Sequence, residues 1–315
     1  MFSSPETSAS VLIGGKVAMT EHSPAMLPSP PHSATLGDES REHGLAINMV
    51  IRQDPFSITL DAPALLAVTM VLIFGMHTIE QHMFACILVS MPILLLIRND
   101  YNNFLNLGPG GTPPTPAGYV RLAWYRIFAL RDPFTPPPTS PDKIPTMGIL
   151  QEQPLSFRAG PRPSVAGLAP QRQLDQWGSW QLCELLKTAI ESLCARYPAK
   201  FGVGTSSIEK HGFALFARHP VNVCGNGEIV HLHSSDKSMH MNLHPDDIKE
   251  VLQRGWGQRH PLSFKGWVQS PLPDTFMMIY APRDQNDLQI TCKIIEAAIW
   301  YTTAEKIELN LAESP

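Results

Sequence analysis

Three closely spaced histidines are the residues of this 315-residue chain best suited to chemistry. His231 and His233 are two positions apart, and His240 follows after a polar segment at residues 234–238. Imidazole nitrogens bind transition metals, and they also exchange protons near neutral pH. The spacing therefore directs attention to metal binding and to acid–base chemistry.

Two alternating segments must position these histidines. Residues 228–233 and 239–243 alternate apolar and polar side chains on either side of the polar segment, which predicts a β-hairpin. The apolar set, which includes Val230 and Leu232, must face a core. Because side chains alternate along a strand, the opposite face then carries His231, His233, His240, Asn242 and His244.

Three interpretations of this histidine face remain open. An antiparallel sheet commonly leaves one face in water, so the face could be a solvated surface. Alternatively, His231, His233 and His240 supply three metal ligands and Glu209 completes the shell. The third interpretation is a pocket in which neutral imidazoles take a proton from an acidic organic substrate. Glu209 and His211, two positions apart, should point the same way as each other.

Helix and strand signals predict an α+β domain at residues 170–311. Apolar residues at helical spacing predict helices at residues 173–197, 245–254 and 286–302. Further strands are predicted at residues 206–210, 212–217 and 275–281. Strands gathered between helices indicate a mainly antiparallel sheet packed with helices.

An apolar region at residues 59–98 predicts a membrane anchor in front of that domain. Its two apolar blocks, residues 62–76 and 83–97, would each span only about 22 Å as helices, whereas the hydrocarbon core is ~30 Å thick. A two-helix hairpin, a re-entrant wedge, and one spanning helix after an interfacial helix all fit, and a buried hairpin of a soluble protein is the alternative. In a hairpin, Arg52 and Arg98 would place the C-terminal domain in the cytoplasm.

The rest of the chain is described by its composition. Residues 1–55 are rich in small and polar residues without an apolar period, which predicts disorder. Residues 99–169 form a Pro-rich connection with one amphipathic helix at residues 119–130, which suits a membrane surface or the face of the domain equally. A net charge of −4 provides no basic face for nucleic acid. Five cysteines without a C-x-x-C pair predict reduced thiols.

A longer motif points to a family. Residues 255–262 read GWGQRHPL, which resembles the signature of the fungal luciferases and their luciferase-like relatives. Other similar segments follow the family's order: Arg98 to Tyr101 with Phe104, Leu105, Gly108 and Pro109; Thr205, Ser206, Glu209 and His211; His231, His233, His240 and Leu243; and Tyr280 to Arg283 with Glu296, Ala297, Tyr301 and Thr303. The resemblance covers about residues 85–303.

The resemblance implies an oxygen-using enzyme on a membrane anchor. Luminescent members of the family oxidise a 3-hydroxy-α-pyrone, 3-hydroxyhispidin, without an added organic cofactor, and carbon dioxide and light accompany the product. For this chain it implies an O2-dependent oxidase or oxygenase of a small enol, pyrone or phenolic metabolite, with no cofactor beyond O2 and with a bound metal left open. The long N-terminal region and the Pro-rich insertion at residues 132–170 indicate a non-luminescent relative. A non-catalytic ligand-binding or scaffold protein with the same fold is the alternative.

The resemblance also implies roles for individual residues. His231, His233 and His240 are candidate bases or orienting groups, and Arg259 and His260 are candidate stabilisers of an enolate anion. Trp256 is a candidate wall that stacks on a planar ring. The other candidate substrate-binding residues are Glu209, His211, Tyr280 and Arg283.

Structural roles remain the alternative for three of these candidates. Trp256 could belong to the core, His260 could shape a loop before Pro261, and Arg259 could pair with Asp246 or Asp247. The expected partners are membrane lipid and a small-molecule substrate.

Overall fold

The computed structural model describes residues 62–139 and 143–311. The disorder predicted for residues 1–55, and Arg52, lie outside the described residues. Within the described ranges the helices are α1 Ala62–Thr78, α2 Gln81–Asn106, α3 Pro116–Phe128, α4 Trp180–Arg196, α5 Pro245–Arg254 and α6 Gln285–Thr303. The strands are β1 Val165–Gly167, β2 Gln171–Gln173, β3 Phe201–Thr205, β4 Phe213–Ala217, β5 Glu228–Leu232, β6 Met239–Asn242, β7 Gly257–Arg259 and β8 Phe276–Ile279.

The strands form two antiparallel sheets. β1 and β2 make a small two-stranded sheet, and the other six strands form a sheet in the order β3-β4-β5-β6-β8-β7. Helices α4 and α6 pack on the larger sheet, α4 against β3 and α6 against β4, β5 and β6. The predicted α+β class with an antiparallel sheet packed against helices is therefore confirmed.

The predicted hairpin of β5 and β6 is also confirmed. His231 lies opposite His240, and Val230 lies opposite Met241. The apolar side chains of both strands belong to the buried core, as the alternation predicts. The histidine face, however, is not solvated: His231, His233 and His240 are only 1%, 1% and 2% exposed. The interpretation of this face as a wet surface is wrong, because other chain segments cover it.

A β-bulge interrupts the alternation at the start of β5. Leu215 pairs with Val230, whereas the next residue, Phe216, pairs with Glu228, so Ile229 is an extra residue in β5. Strict alternation would place Glu228 on the core face together with Val230. The bulge instead brings its carboxylate to His231, with Oε1 2.5 Å from Nδ1.

Two predicted elements begin or lie elsewhere. The helix predicted from residue 173 starts at Trp180, because Gln173 belongs to β2 and the Ser179 hydroxyl caps the helix by accepting from the Leu182 amide. The strand predicted at residues 206–210 is a turn, in which the Ser206 hydroxyl accepts from the Glu209 amide. The paired strand β3 ends immediately before this turn.

The apolar region at the start of the described chain forms two helices of unequal length. α1 has 17 residues and α2 has 26, and α2 alone among the described helices is long and apolar enough to cross a membrane. α2 extends beyond the apolar block because its last turns pack on α3, where Tyr119 lies 5.3 Å from Tyr101 and 6.0 Å from Phe104 between ring centres. Asp100 accepts hydrogen bonds from Tyr119 and Arg126 at 2.7 Å.

Removing one core side chain from the hairpin should test this packing. Val230 is 0% exposed, so Val230→Ala should lower the free energy of unfolding by about 2 kcal/mol through lost burial and a residual cavity. The matched control is Val203→Ala in β3, because Val203 is 44% exposed and its truncation should change stability by less than about 0.5 kcal/mol. Urea unfolding of the full chain in detergent micelles measures both, and equal losses would contradict the different burial of the two side chains.

Candidate functional site

Four buried side chains converge beneath the histidine face. The ring nitrogens of His231, His233 and His240 and a carboxylate oxygen of Glu209 all lie within 4.8 Å of one another. Nδ1 of His240 is 3.1 Å from Nε2 of His231 and 3.1 Å from Nε2 of His233. Oε1 of Glu209 is 3.4 Å from Nε2 of His233 and 3.9 Å from Nε2 of His231. We call these four residues the His/Glu centre.

Each histidine of the centre is held through its outer ring nitrogen. Nδ1 of His231 contacts the Glu228 carboxylate at 2.5 Å, and Nε2 of His240 contacts Oε1 of Gln171 at 3.0 Å. Nδ1 of His233 contacts the Ser238 hydroxyl at 2.8 Å, and that hydroxyl is bonded to the Asp236 carboxylate at 3.0 Å. These contacts fix the orientation of all three rings.

The turn at residues 206–212 positions Glu209. Its first residue, Ser206, donates its hydroxyl to Glu228 at 3.0 Å, and the Ser207 amide donates to the same carboxylate at 2.7 Å. Lys210 and Gly212 adopt positive φ angles of 67° and 82°, which turn the chain back into β4. The turn is thus fastened to β5 through Glu228, and it carries Glu209 to the centre.

Arg172 on β2 neutralises Glu209. Its guanidinium donates to both carboxylate oxygens of Glu209, at 2.9 Å and 2.8 Å, and Arg172 is only 2% exposed. The carbonyl of Pro109 accepts from Arg172 and from His211, each at 2.7 Å. His211 is also 3.5 Å from the Glu209 carboxylate, so the expected common direction of Glu209 and His211 is observed.

Burial and pairing together set the protonation of the carboxylates. Burial raises the pKa of Glu209, but His233 and Arg172 outweigh it and hold that pKa well below its usual range. Burial likewise opposes ionisation of Glu228 and Asp236, whereas contacts with His231 and His233 respectively lower the pKa of each. All three carboxyl groups are therefore anionic at neutral pH.

The pKa values of His240 and His233 are shifted in opposite directions. Burial, and then the neighbouring histidines, hold the pKa of His240 well below its usual range. Burial and Arg172 lower the pKa of His233, but Glu209 and Asp236 outweigh them and raise it. A proton is therefore held more strongly on His233 than on His240.

A cavity of about 290 Å³ opens against the centre. Glu209 and His240 form part of its wall, and the rings of His260 and Phe276 complete the aromatic part. Helix α3 contributes Arg121, Leu122 and Tyr125 to its other side. A larger cleft of about 790 Å³ lies between the segments around Glu152 and Lys306, but no histidine lines it. The smaller cavity is the candidate site, because it reaches the His/Glu centre.

The family model and the relatives that match this chain are described as luciferases. A family model described as the luciferase domain matches residues 226–298, which include three of the four residues of the centre. The luciferase of Neonothopanus nambi is 32% identical over 233 residues, which cover 69% of this chain and 85% of that protein. The luciferase of Armillaria mellea is 33% identical over 232 residues, with the same coverage, and that of Armillaria ostoyae is 34% identical over 223 residues, or 66% of this chain and 82% of that protein.

This chain belongs to the fungal luciferase family. The family resemblance read from the GWGQRHPL motif is thereby confirmed. No solved structure matches the chain. The matched luciferase domain at residues 226–298 contains β5, β6, α5, β7, β8 and most of α6, whereas Glu209 and Arg172 precede it.

His260 of the luciferase motif lines the cavity as a neutral ring. Its Nδ1 accepts from the Leu262 amide at 3.0 Å, and its ring lies 5.0 Å from that of His240. Burial lowers the pKa of His260 to about 3. A neutral imidazole cannot act as a cationic stabiliser of an enolate, so that expected role does not fit.

Four other candidates of the luciferase motif and its surroundings do not line the cavity. The guanidinium of Arg259 donates to the carbonyls of Thr135, Ser263 and Asp274, which are contacts that replace the expected pair with Asp246 or Asp247. Trp256 belongs to the core, and its indole donates to the Ser156 carbonyl at 2.7 Å. These two residues stabilise the loop and core around the site.

Tyr280 and Arg283 are engaged elsewhere as well. The Tyr280 hydroxyl donates to Gln258 at 3.0 Å, and Arg283 pairs with Asp287 at 2.7 Å. His244, predicted to share the histidine face, caps α5 by accepting from the Asp246 amide at 3.2 Å. It does so because the chain leaves β6 at Asn242 and turns into the helix.

The residues that hold the His/Glu centre in place were not predicted from the sequence. Gln171, Arg172, Glu228 and Asp236 support it, and none was a candidate. Gln171 and Arg172 meet the centre only through folding over long distances in the chain, since Arg172 contacts Glu209, 37 positions away, and Gln171 contacts His240, 69 positions away. Glu228 carried a usable signal, since it lies three positions before His231, but strand alternation assigned it to the other face.

Gly110, in the loop that follows α2, should be intolerant of a side chain. A Cβ at Gly110 would lie 2.7 Å from Nη2 of Arg172 and 2.8 Å from Cβ of Pro170, so Gly110→Ala must displace the Arg172–Glu209 pair. We expect a loss of about 1–3 kcal/mol in the free energy of unfolding. Gly266→Ala is the matched control, because nothing lies within 4 Å of its Cβ. Urea unfolding decides, and equal stability of the two variants would contradict this contact.

Proposed function

We propose that this protein is a membrane-anchored enzyme that oxidises a small enol, pyrone or phenolic metabolite with O2. The observation that carries the proposal is the cavity of about 290 Å³ whose wall contains His240 and Glu209 of the buried His/Glu centre. Membership of the fungal luciferase family supports the reaction class, because the resemblance implies oxidation of a 3-hydroxy-α-pyrone by O2. Light emission is not part of the proposal.

The shape of the cavity suits a small planar molecule. Its volume lies at the lower end of the range of about 300–1,000 Å³ that is usual for ligand pockets, which matches one or two rings. The Phe276 ring lies 5.3 Å from that of His240 and 5.6 Å from that of His260, so three rings form one wall. A planar enol can pack on this wall, in the role first expected of Trp256.

The charges around the cavity suit an acidic substrate. Arg121 and Lys210 lie in its lining, and each carries a positive charge that would attract an enolate. An acidic enol that has released its proton to water is an electron-rich anion that can react with O2. The rings of His240 and His260 remain neutral, so they hold and orient the substrate without competing for its charge.

Oxygen consumption tests the reaction. The full chain in detergent micelles should consume O2 with 3-hydroxyhispidin or a related enol and show saturation. His240→Asn should reduce the rate at least about 100-fold, because it removes a ring from both the cavity wall and the centre. His219→Asn is the matched control, since His219 is exposed on the surface.

A cavity-filling variant completes this test. Leu272 lines the cavity, so Leu272→Trp should lower kcat/KM about 10-fold by occupying substrate volume while leaving the centre intact. Saturable binding of the enol without any O2 uptake would favour a ligand-binding protein that retains the fold. Absence of both binding and uptake would overturn the choice of substrate class.

We further propose that α2 anchors the protein in a membrane. Its apolar window is 0% buried in the rest of the protein, so the helix does not serve as a core element. Its apolar window of 18 residues is about 27 Å long, which is close to the hydrocarbon thickness of ~30 Å. Arg98, and then Arg121 and Arg126 on α3, follow the apolar window, and this positive charge favours a cytoplasmic location for the domain.

Helix α3 extends the proposed membrane contact. Its outer side chains Val120, Trp124 and Ile127 are 65%, 54% and 64% exposed, and the ring of Trp124 contacts Phe128. Trp267 adds an 86% exposed indole 5.4 Å from the Phe128 ring. Aromatic and aliphatic side chains beside arginines are typical of surfaces that lie at the headgroup level.

Carbonate extraction of cell membranes tests the anchor. Wild-type chain should remain in the carbonate-resistant pellet, whereas the double variant Val89→Arg, Ile93→Arg should be released, because each arginine near the middle of the window costs about 2.5–3.5 kcal/mol in insertion. Val203→Arg, at an exposed position of β3, is the control and should stay in the pellet. Retention of the double variant, or release of the wild type, would contradict the anchor.

A further inference from the structure

The protonation pattern of the His/Glu centre has an unusual consequence. An ionised carboxylate can only accept hydrogen bonds, so Nδ1 of His231 must donate to Glu228. The Ser238 hydroxyl donates to Asp236, so it accepts from Nδ1 of His233. Nε2 of His240 donates to the amide oxygen of Gln171. In the uncharged form of each ring, the outer nitrogen therefore carries the hydrogen.

The inner nitrogens consequently carry lone pairs. A neutral imidazole has one N–H, and in each ring it is already directed outward. Four of the six distances among the three lone pairs and the Glu209 carboxylate lie between 3.1 Å and 3.9 Å, and all six pairs lie within 4.8 Å. Four acceptors at these distances repel one another unless a positive charge lies among them.

We infer that the His/Glu centre binds a divalent first-row transition metal ion through Nε2 of His231, Nε2 of His233, Nδ1 of His240 and the carboxylate of Glu209. A set of neutral imidazoles with one carboxylate favours these ions over Mg²⁺ or Ca²⁺, which prefer ligand sets made of oxygen atoms alone. The inference rests on the contacts of the centre alone and holds whether or not the cavity turns over an enol.

The distances fit such an ion. Two ligand atoms at about 2.1 Å from one ion, with an angle of 90–110° between them, lie about 3.0–3.4 Å apart. The two contacts of His240 Nδ1 at 3.1 Å and the Glu209–His233 contact at 3.4 Å fall in that interval. The Glu209–His231 distance of 3.9 Å corresponds to a wider angle at the same ion.

The surrounding charge also calls for a divalent cation. Glu209, Glu228 and Asp236 are buried carboxylates, and Arg172 is the guanidinium that pairs with Glu209. Three anions and one cation leave an excess of two negative charges in contact with the centre. A second buried cation, Lys237, has its ammonium bonded to the Ser234 carbonyl and lies over the Trp180 ring.

A proton is the competing occupant, and the geometry separates the two. Nδ1 of His240 is equally distant, 3.1 Å, from the inner nitrogens of His231 and His233. A proton on Nε2 of His233 can bond to Nδ1 of His240 or to Oε1 of Glu209, but it leaves the acceptors Nε2 of His231 and Nδ1 of His240 3.1 Å apart, whereas an ion binds all of them at once. The carboxylate and amide partners of the outer nitrogens are those that commonly orient metal-binding histidines.

The ion would have an open side. His240 and Glu209 line the cavity, whereas His231 and His233 do not, so the side of the centre between His240 and Glu209 faces the cavity. An ion that takes five or six ligands would have further positions there for a water molecule or for the oxygens of a ligand. When bound, the ion would supply Lewis acidity to an oxygen ligand in the cavity.

Metal analysis of the intact chain tests this inference. The full chain, purified in detergent with a tag that lacks histidine and without chelators, should contain about one transition metal ion per chain by elemental analysis. Removal with a chelator and titration with Co²⁺ should restore one saturable site with visible d–d absorption, whereas Mg²⁺ should not compete. Metal content is measured independently of O2 uptake, so an inactive but metal-loaded chain would refute only the proposed reaction.

Two histidine variants provide a matched comparison. His240→Asn should weaken Co²⁺ binding at least 10-fold, while His244→Asn should leave it unchanged, because His244 is equally buried but caps α5, where asparagine also caps well. Glu228→Gln keeps all four ligands but alters the partner of His231 and the acceptor that fastens the turn carrying Glu209, and it should weaken binding about 10-fold to 100-fold. It carries the test if His240→Asn fails to fold.

Two results would overturn the inference of a metal site. A folded wild-type chain that contains no transition metal and shows no saturable Co²⁺ site would overturn the inference and leave a proton as the occupant. Equal loss of metal from His240→Asn and His244→Asn would also overturn it, since the bound ion would then lie elsewhere.

Discussion

The buried ion pair between Arg172 and Glu209 is the interaction on which the rest of the site depends. Both side chains are almost fully excluded from water, at 2% and 6% exposure, and a buried charge is tolerated only when it is paired and hydrogen-bonded. Every segment that covers the histidine face contributes to this pairing. The small β1–β2 sheet supplies Arg172, the turn after β3 supplies Glu209, and the loop after α2 supplies the Pro109 carbonyl. The polar centre is thus closed by three segments that meet at this ion pair.

This arrangement connects α2 to the His/Glu centre and the cavity through direct contacts. The loop that carries Pro109 and Gly110 follows α2 directly, and Gly110 lies where any side chain would meet Arg172. Asp100 near the end of α2 holds Tyr119 and Arg126 of α3, and the next side chains of α3 line the cavity. The position of α2 therefore determines where the loop with Pro109 and Gly110 covers the ion pair, and where α3 forms one wall of the cavity. Helix α2 is therefore part of the site's construction.

The sequence predicted the parts of the fold that depend on local pattern. Alternation in β5 and β6 predicted their pairing and their apolar face, and helical spacing predicted α5 and α6, because burial of one face imposes those periods directly. It failed where a distant contact decides. Gln173 enters a strand instead of a helix because β1 pairs with it, and Glu228 changes face because Ile229 forms a bulge. Trp256 looked functional within the family motif, but a large apolar side chain next to a turn is also what a core requires.

The free-energy cost of burying the polar groups of the His/Glu centre indicates that the centre has a function other than stability. A sheet face filled with apolar side chains would bury the same area without three carboxylates, a guanidinium and three imidazoles to satisfy, and replacing buried ion pairs with apolar residues often stabilises a protein. The opposite face of the same hairpin shows that solution, with Val230, Leu232, Met239 and Met241 all in the core. The two faces of one hairpin thus differ in purpose. The apolar face gives stability, and the polar face holds rings at fixed angles beside a cavity whose far wall is the helix next to the proposed membrane surface. An apolar enol that partitions into that membrane would meet the cavity from the α3 side, where Arg121 and Tyr125 lie, and the His/Glu centre would then form the inner end of its path.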